Sequence, residues 1–207
     1  MLRVREDMAR QKNYHHGDLR QALLQAGLTM LEEVGLEGLS LRKIAARVGV
    51  SHAAPEHHFP TLKHLLNAMA CQGFRLFEGA MRREMAAAAP SAAAQMRAAF
   101  NGYLAFATAN PHLFRLMFNA NLLDWSDAAL GEAGDLGFAV LQEICRPVAV
   151  RRDLDTPEGR ASIEQLVWSQ VHGHAHLSID HKLPLIGAPA RPTSAATLDL
   201  AAILLPD

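Results

Sequence analysis

Cysteine is scarce in this sequence, and its scarcity excludes a disulfide-stapled fold. The two thiols, Cys71 and Cys145, are far apart and belong to no paired motif, which is typical of a reducing compartment. The charged opening residues (MLRVREDMARQKNYHHGD) lack the apolar segment of a signal peptide. No apolar run approaches the roughly 20 residues that a membrane-spanning helix needs. We therefore expect a soluble cytoplasmic protein.

Strong charge and enzyme signatures are also lacking. The net charge is −1, and only a mild basic bias separates residues 1–65, with nine Lys/Arg against seven Asp/Glu, from the rest of the chain. No G-x-S-x-G, P-loop, dinucleotide fingerprint or H-E-x-x-H motif occurs. The sequence therefore predicts a protein that is not an enzyme and needs no cofactor. A fully helical enzyme is the third-ranked alternative.

Strand signals are nearly absent, whereas helical spacing of apolar residues recurs along the chain. The pattern predicts an all-α protein of about nine helices. From residue 119 onward, the pattern predicts a loop at 119–127, a helix at 128–146, a linker at 147–157, a helix at 158–180 and a last helix at 193–204. Gly131, Gly134 and Gly137 weaken the prediction of the helix at 128–146, because glycine is a poor helix former.

Residues 40–59 carry the pattern of a helix-turn-helix. Ser40 is a candidate N-cap for a short helix that ends at Gly49, where glycine permits a left-handed turn. Ser51 is a candidate cap for the next helix, and Thr61 for the long helix that follows. In a DNA-binding helix-turn-helix the second helix enters the major groove. The alternative is an ordinary αα-hairpin.

The segment GDLRQALLQAGLTMLEEVGLEGLSLRKIAARVGVSHAAPEHHFPTLKHLLNAMA, at 17–70, resembles the DNA-binding domain of the TetR family of transcriptional regulators. WSQVHGHAHL at 168–177 is similar to a Trp…His-Gly motif of one branch. The resemblance implies a DNA-binding domain at 1–62 and a ligand-binding and dimerisation domain at 63–207. It also implies a homodimer that binds a near-palindromic double-stranded DNA operator, with helix three, at about 52–58, in the major groove. The implied function is most simply that of a repressor, which a small-molecule effector releases from DNA.

The resemblance also assigns DNA contacts residue by residue. Ser40 and Arg42 match positions at the DNA backbone, and a helix N-terminus suits a phosphate. Ser51, His52 and Ala53 open the reading helix, within reach of base edges. One of the two histidines that precede Phe59 approaches phosphate, with a packed core histidine as the alternative for His58. The full predicted set is Ser40, Arg42, Lys43, Ser51, His52, Ala53, Glu56, His57, His58 and Lys63.

Two positions depart from the family pattern. The family usually has tyrosine where this chain has Glu56, and commonly lysine where it has Leu62. A carboxylate repels phosphate unless it accepts from cytosine or pairs with a cation, for which His57, Lys63, Lys43 and Arg42 are candidates. Our hypothesis is that DNA binding survives but is weakened. The alternative is a TetR-like small-molecule-binding protein that has lost DNA binding.

Aromatic residues of the C-terminal half predict a partly apolar ligand pocket. The alternative is that such residues, at helical spacing, are plain core. Tyr103, Trp168 and His172 are the strongest candidates, because each adds a polar group to an apolar body. The full predicted set is Phe100, Tyr103, Phe106, Phe114, Met117, Phe118, Trp125, Trp168 and His172.

Histidines at 172, 174 and 176 raise the question of a metal. Only His172 and His176 share a helix face, and zinc would need a further ligand such as Asp180. We predict no metal site.

The helix at 158–180 presents an apolar face, formed by Ile163, Leu166, Val167 and Val171, while Gly173 and Ala175 would let another helix come close. The last helix adds the apolar residues Leu200, Ala201, Ile203 and Leu204. These two helices from each subunit predict a four-helix dimer interface; the alternative is that they complete the core of the monomer.

Overall fold

The computed structural model describes residues 16–183 and 199–205, and its regular elements there are all helical, which confirms the all-α prediction. Eight α-helices lie in this part of the chain, against about nine predicted. Two 3₁₀ turns, Leu36–Gly38 and Ala54–His57, accompany them. The helices are α1 (His16–Val34), α2 (Leu41–Val48), α3 (Leu62–Ala87), α4 (Ala92–Ala109), α5 (Pro111–Met117), α6 (Ala128–Arg151), α7 (Pro157–Ile179) and α8 (Leu200–Leu204).

The ends of α1 and α2 follow the sequence signals. Gly35, with φ 68°, lies directly after α1. Ser40 Oγ accepts a hydrogen bond from the backbone N–H of Lys43 at 3.2 Å, which confirms the predicted N-cap. Gly49 ends α2 in the left-handed conformation, with φ 80°. These stops set the angle between α1, α2 and the exposed turn that follows.

The predicted linker at 147–157 is wrong in its first part. Helix α6 continues through Pro147 to Arg151, although proline removes one helical hydrogen bond. Val148 and Ala149 directly after it are fully buried, so tertiary packing holds the helix together there. Helix α7 begins at Pro157, close to the prediction. Of the predicted last helix, Leu200–Leu204 is observed, and 184–198 lies outside the described residues.

Helix α3 is the central element and packs against α1, α4, α5 and α6. Its approach to α4 is close at Gly102, where an added Cβ would lie 2.6 Å from the carbonyl oxygen of Ala80 and from Met81 Cα. Apolar residues along both faces of α3 join one continuous core. In the part of the chain that the structure covers, no helix is long and apolar enough to cross a membrane.

Candidate DNA-binding surface and ligand cavity

The segment from the end of α1 to the start of α3 presents polar side chains on a buried frame. Ile44, Pro55 and Phe59 are buried and fix the segment to the core. Ser40 and His58 are partly buried. The other predicted DNA-contacting residues are exposed: Arg42, Lys43, Ser51, His52, Ala53, Glu56, His57 and Lys63. The structure therefore leaves most of this set accessible to a partner.

The predicted third α-helix is wrong, because Ala54–His57 forms a 3₁₀ turn. The side chain of Ser51 caps nothing in it; instead the carbonyl of Ser51 accepts from the backbone N–H of Ala54 at 3.1 Å. Proline at position 55 has no N–H to donate, and its carbonyl accepts from Phe59 N–H at 2.7 Å. A second predicted side-chain cap is also wrong, since the hydroxyl of Thr61 pairs with His64 Nδ1 at 2.8 Å.

Glu56 is exposed, and no salt bridge joins it to any described residue. The suggested pairing with Arg42, Lys43, His57 or Lys63 is therefore not observed. Lys43 donates instead to the carbonyl of Gly38, at 2.9 Å from Nζ. The carboxylate of Glu56 thus lies on the exposed surface of the helix-turn-helix without an ion pair to any described cation.

Residues 16–62, which include the helix-turn-helix, are called the head below. Contacts between neighbouring elements hold the head in place. Arg47 of α2 forms a bidentate pair with Glu33 of α1, at 2.5 and 2.8 Å. The guanidinium of Arg20 lies 5.1 Å from the ring centroid of Phe59, close enough for a cation–π interaction. Gly27 lets α1 approach α3, since an added Cβ would lie 3.1 Å from Met69 Sδ.

A cavity of about 410 Å³ lies among α3, α4, α6, α7 and the loop before α6. Of the predicted ligand-binding set, five residues line it and four do not. The four, Phe106, Phe114, Met117 and His172, lie in or beside the core behind the wall. The lining residues are Phe74, Phe77, Met81, Ala99, Phe100, Tyr103, Phe118, Ala120, Trp125, Gly131, Gly134, Asp135, Gly137, Phe138, Val140, Leu141, Ile144 and Trp168.

Glycines of α6 form one wall of this cavity. Gly131, Gly134 and Gly137 recur every third residue, and an added Cβ at Gly131 would meet no atom within 4 Å. The rings of Trp125 and Phe77 lie against the other two, each with a carbon 3.2 Å from the position of an added Cβ. Sequence reasoning treated these glycines as weak points in a helix. Their regular spacing was the signal for an open helix face.

The inner end of the cavity carries a chain of polar contacts. The hydroxyl of Tyr103 lies 2.7 Å from His172 Nδ1, and His172 Nε2 lies 3.2 Å from His176 Nε2. Burial and the neighbouring His176 lower the pKa of His172 to about 4. Burial raises the pKa of Tyr103. Both groups are therefore neutral at pH 7, and no described residues cluster as ligands for a metal.

Two sets of hydrogen bonds tie α1 and the start of α3 to later elements of the chain. The buried amide of Asn67, in α3, donates to the carbonyl of Asp124 at 3.2 Å and accepts from its N–H at 3.0 Å. Asp124 precedes Trp125, which lines the cavity. The carboxylate of Glu32 in α1 accepts from the backbone N–H of Leu113 at 2.8 Å, at the start of α5. These contacts connect the first turns of α3 to the loop that lines the cavity, and α1 to α5, which does not line it.

Comparison with known proteins identifies the family. The chain matches the family model described as "Tetracyclin repressor-like, C-terminal domain" over residues 96–201. It matches "Bacterial regulatory proteins, tetR family" over residues 23–69. The chain belongs to the TetR family of transcriptional regulators, as its 17–70 segment predicted.

Individual relatives agree with this assignment. The tetracycline repressor protein class C of Escherichia coli is 41% identical over 51 residues, which is 25% of this chain and 23% of that protein. A protein of unknown function from Rhodococcus sp. RHA1 is 33% identical, with a TM-score of 0.72 over 86% of this chain and 90% of that one. A TetR family transcriptional regulator from Thermus thermophilus shares the fold, at 16% identity and a TM-score of 0.56 over 83% and 88% of the two chains.

Proposed function

We propose that this chain is a ligand-responsive repressor that binds a near-palindromic operator as a homodimer. Residues 1–62 bind the DNA, and residues 63–207 bind the effector and form the dimer. A small, partly apolar molecule in the cavity releases the protein from DNA. The observation that carries the proposal is a helix-turn-helix with exposed polar residues, followed directly by α3, whose Asn67 is hydrogen-bonded to the loop that lines an apolar cavity.

On the DNA side, the proposed contacts divide by chemistry. Arg42 and Lys63 are exposed cations that suit phosphates, and the N-terminus of α2 also suits an anion. His52 offers hydrogen bonds to base edges, while Ala53 suits a thymine methyl group. His52 and Ala53 directly precede the turn Ala54–His57, which the buried Pro55 fixes to the core.

On the ligand side, the response follows from the contacts at Asn67 and Glu32. A molecule that displaces Trp125 or Phe118 moves the loop to which Asn67 is bonded. Because an amide bonded to both backbone groups of Asp124 moves with them, the start of α3 shifts too. In a dimer this shift changes the distance between the two reading heads, and the heads no longer fit successive major grooves.

Helices α7 and α8 supply the proposed dimer interface. Ile163, Val167 and Val171 are buried in the subunit's own core, whereas Leu166 is 52% exposed. The exposed residues of α7 between 165 and 173 are uncharged, and Gly173 has open space around it. Ile203 of α8 is also half exposed. An uncharged helix face with small residues and exposed leucine or isoleucine suits pairing with its copy.

DNA binding is tested with duplexes covering the sequence next to the protein's own gene. Fluorescence anisotropy on the full chain is expected to give selective binding that Arg42→Ala weakens about tenfold, the value of a charge-assisted contact of about 1.4 kcal/mol. Arg160→Ala, in the first turn of α7 and outside the head, is the matched control and leaves affinity unchanged. Equal binding to unrelated duplexes would contradict the proposal.

The second candidate is a TetR-like protein that binds a small molecule but no longer holds DNA. Glu56 favours it, because its carboxylate is exposed without an ion pair among the described residues. Under this candidate, no duplex binds selectively even at low salt, while ligand binding in the cavity persists.

A further inference from the structure

One side chain sets the charge of the cavity wall. Asp135 of α6 is the acidic residue among the described lining residues, and no lysine, arginine or histidine lines the wall with it. Asp135 is exposed, and so are the lining residues Trp125 and Phe138, at 45% and 44%, so we place all three at the open mouth of the cavity. A ligand that enters there passes a carboxylate and two aromatic rings.

Arg82 and His172, each beside a lining residue, leave that charge in place. Arg82, next to the lining residue Met81, is bound by two carboxylates, Glu78 and Glu143. At the inner end, His172 stands behind Tyr103 and is neutral at pH 7, because burial lowers its pKa to about 4. The cavity therefore has a negative mouth and an uncharged interior.

The rest of the wall is aromatic and aliphatic, with eight aromatic residues. The negatively charged faces of such rings attract a cation, most strongly for Trp and Tyr. A neutral ligand would gain only burial, and an anion would meet Asp135 without a compensating partner. The eight are Phe74, Phe77, Phe100, Tyr103, Phe118, Trp125, Phe138 and Trp168.

Resting on the proposed ligand-binding function, we infer that the effector is a small apolar cation, such as an arylalkyl amine or quaternary ammonium. Its charged group lies at the mouth beside Asp135 and the rings of Trp125 and Phe138. Its apolar body lies along the glycine face of α6, where Gly131 leaves open space.

A matched pair of probes tests this inference by calorimetry on the full chain. Benzyltrimethylammonium carries the charge, and neopentylbenzene is its neutral carbon isostere. Asp135→Asn is expected to weaken binding of the cation about fivefold and to leave binding of the isostere unchanged. Glu132→Gln, an exposed acid outside the wall on the same helix, is the control and changes neither affinity.

A second variant tests whether the cation binds in this cavity. Gly131→Leu, which fills the cavity, is expected to abolish binding of the cation. If Asp135→Asn leaves cation affinity unchanged, or if the isostere alone binds, the cation inference is overturned and the cavity stands as a ligand site. If neither probe binds, the inference is likewise overturned. Operator binding, measured on the same preparations, judges the proposed repressor function independently.

Discussion

At the residue scale, Glu56 is the side chain that we expect to oppose DNA binding most directly. Replacing it with the tyrosine usual in the family removes a charge that repels phosphate and adds a hydroxyl that can donate to it. We expect Glu56→Tyr to raise operator affinity about tenfold at fixed salt, the effect of roughly 1.4 kcal/mol. Anisotropy titrations of wild type and variant measure this change.

A companion variant separates charge from hydroxyl. Glu56→Gln removes the negative charge without supplying the tyrosine contact, so its affinity should lie between the other two. Unchanged affinity in Glu56→Tyr would show that the carboxylate lies away from the phosphates or accepts from a cytosine.

His172 gives stability a pH dependence. Its pKa in the folded protein is about 4, against 6.5 for an unperturbed histidine, because burial and His176 disfavour the charged form. As the pH falls from 6.5 to 4, His172 therefore binds a proton in the unfolded chain but stays neutral in the folded chain. This contribution to stability is complete above pH 6.5 and is lost as pH falls through that window.

Urea unfolding at pH 7 and pH 4.5 measures this dependence. The free energy of unfolding of His172→Gln should fall less between the two pH values than that of the wild type. Glutamine keeps a polar partner for the hydroxyl of Tyr103. His52→Gln, at an exposed site, should reproduce the wild-type curve. An equal fall in His172→Gln and wild type would show that His172 is not the group responsible.

At the element scale, the contact between α3 and α4 depends on the absence of a side chain at Gly102. An added methyl would lie 2.6 Å from the backbone of Ala80 and Met81, so the helices must separate. We expect Gly102→Ala to lower the free energy of unfolding by about 1–3 kcal/mol, the range for overpacking a core. Urea unfolding curves measure the change.

Gly79 in α3 is the matched control. An added Cβ there meets no atom within 4 Å, and alanine is the better helix former. Gly79→Ala should therefore raise the free energy of unfolding by about 0.5–1 kcal/mol. Destabilisation by both variants to the same extent would contradict the assignment of Gly102 to a close helix contact.

Local signals predicted the elements better than their packing. Ser40, Gly35 and Gly49 act on their own backbone, so the sequence alone placed those helix ends. Pro147 and the glycines of α6 could not be interpreted locally. The burial of Val148 and the packing of α6 against α3 decide whether that helix continues, and both are tertiary.

The two candidate sites also differ in how far local sequence signals predict them. The helix-turn-helix is contiguous in sequence, so its candidate DNA contacts could be predicted residue by residue, and most of these residues are exposed. The 3₁₀ form of Ala54–His57 was missed because Ser51 followed by Pro55 also suits an α-helix start. The cavity joins four helices and a loop, and its α3 residues, Phe74 and Phe77, had no feature that separated them from core.

At the scale of the whole molecule, the exposed face of α7 should control assembly. Leu166→Arg puts a charge on the proposed interface, and because Leu166 is 52% exposed the subunit fold should persist. We expect sedimentation to give half the mass of the wild type. Leu76→Arg, at a leucine of α3 that is 46% exposed, is the control and should stay dimeric. A dimeric Leu166→Arg variant would exclude this face.

The proposed repressor function requires two reading heads on one operator, each with few phosphate contacts to spare. Arg42 and Lys63 in both subunits supply about four contacts, which predicts a slope of about −3.6 for log affinity against log salt. Affinity should then fall about a hundredfold between 50 and 200 mM salt.

The most direct measurement is this salt series with the full chain and the DNA next to its own gene. Selective binding that weakens with the predicted slope would show that the head grips DNA despite Glu56. Weak binding that is indifferent to sequence at every salt concentration would contradict the account. The function would then lie in the cavity alone.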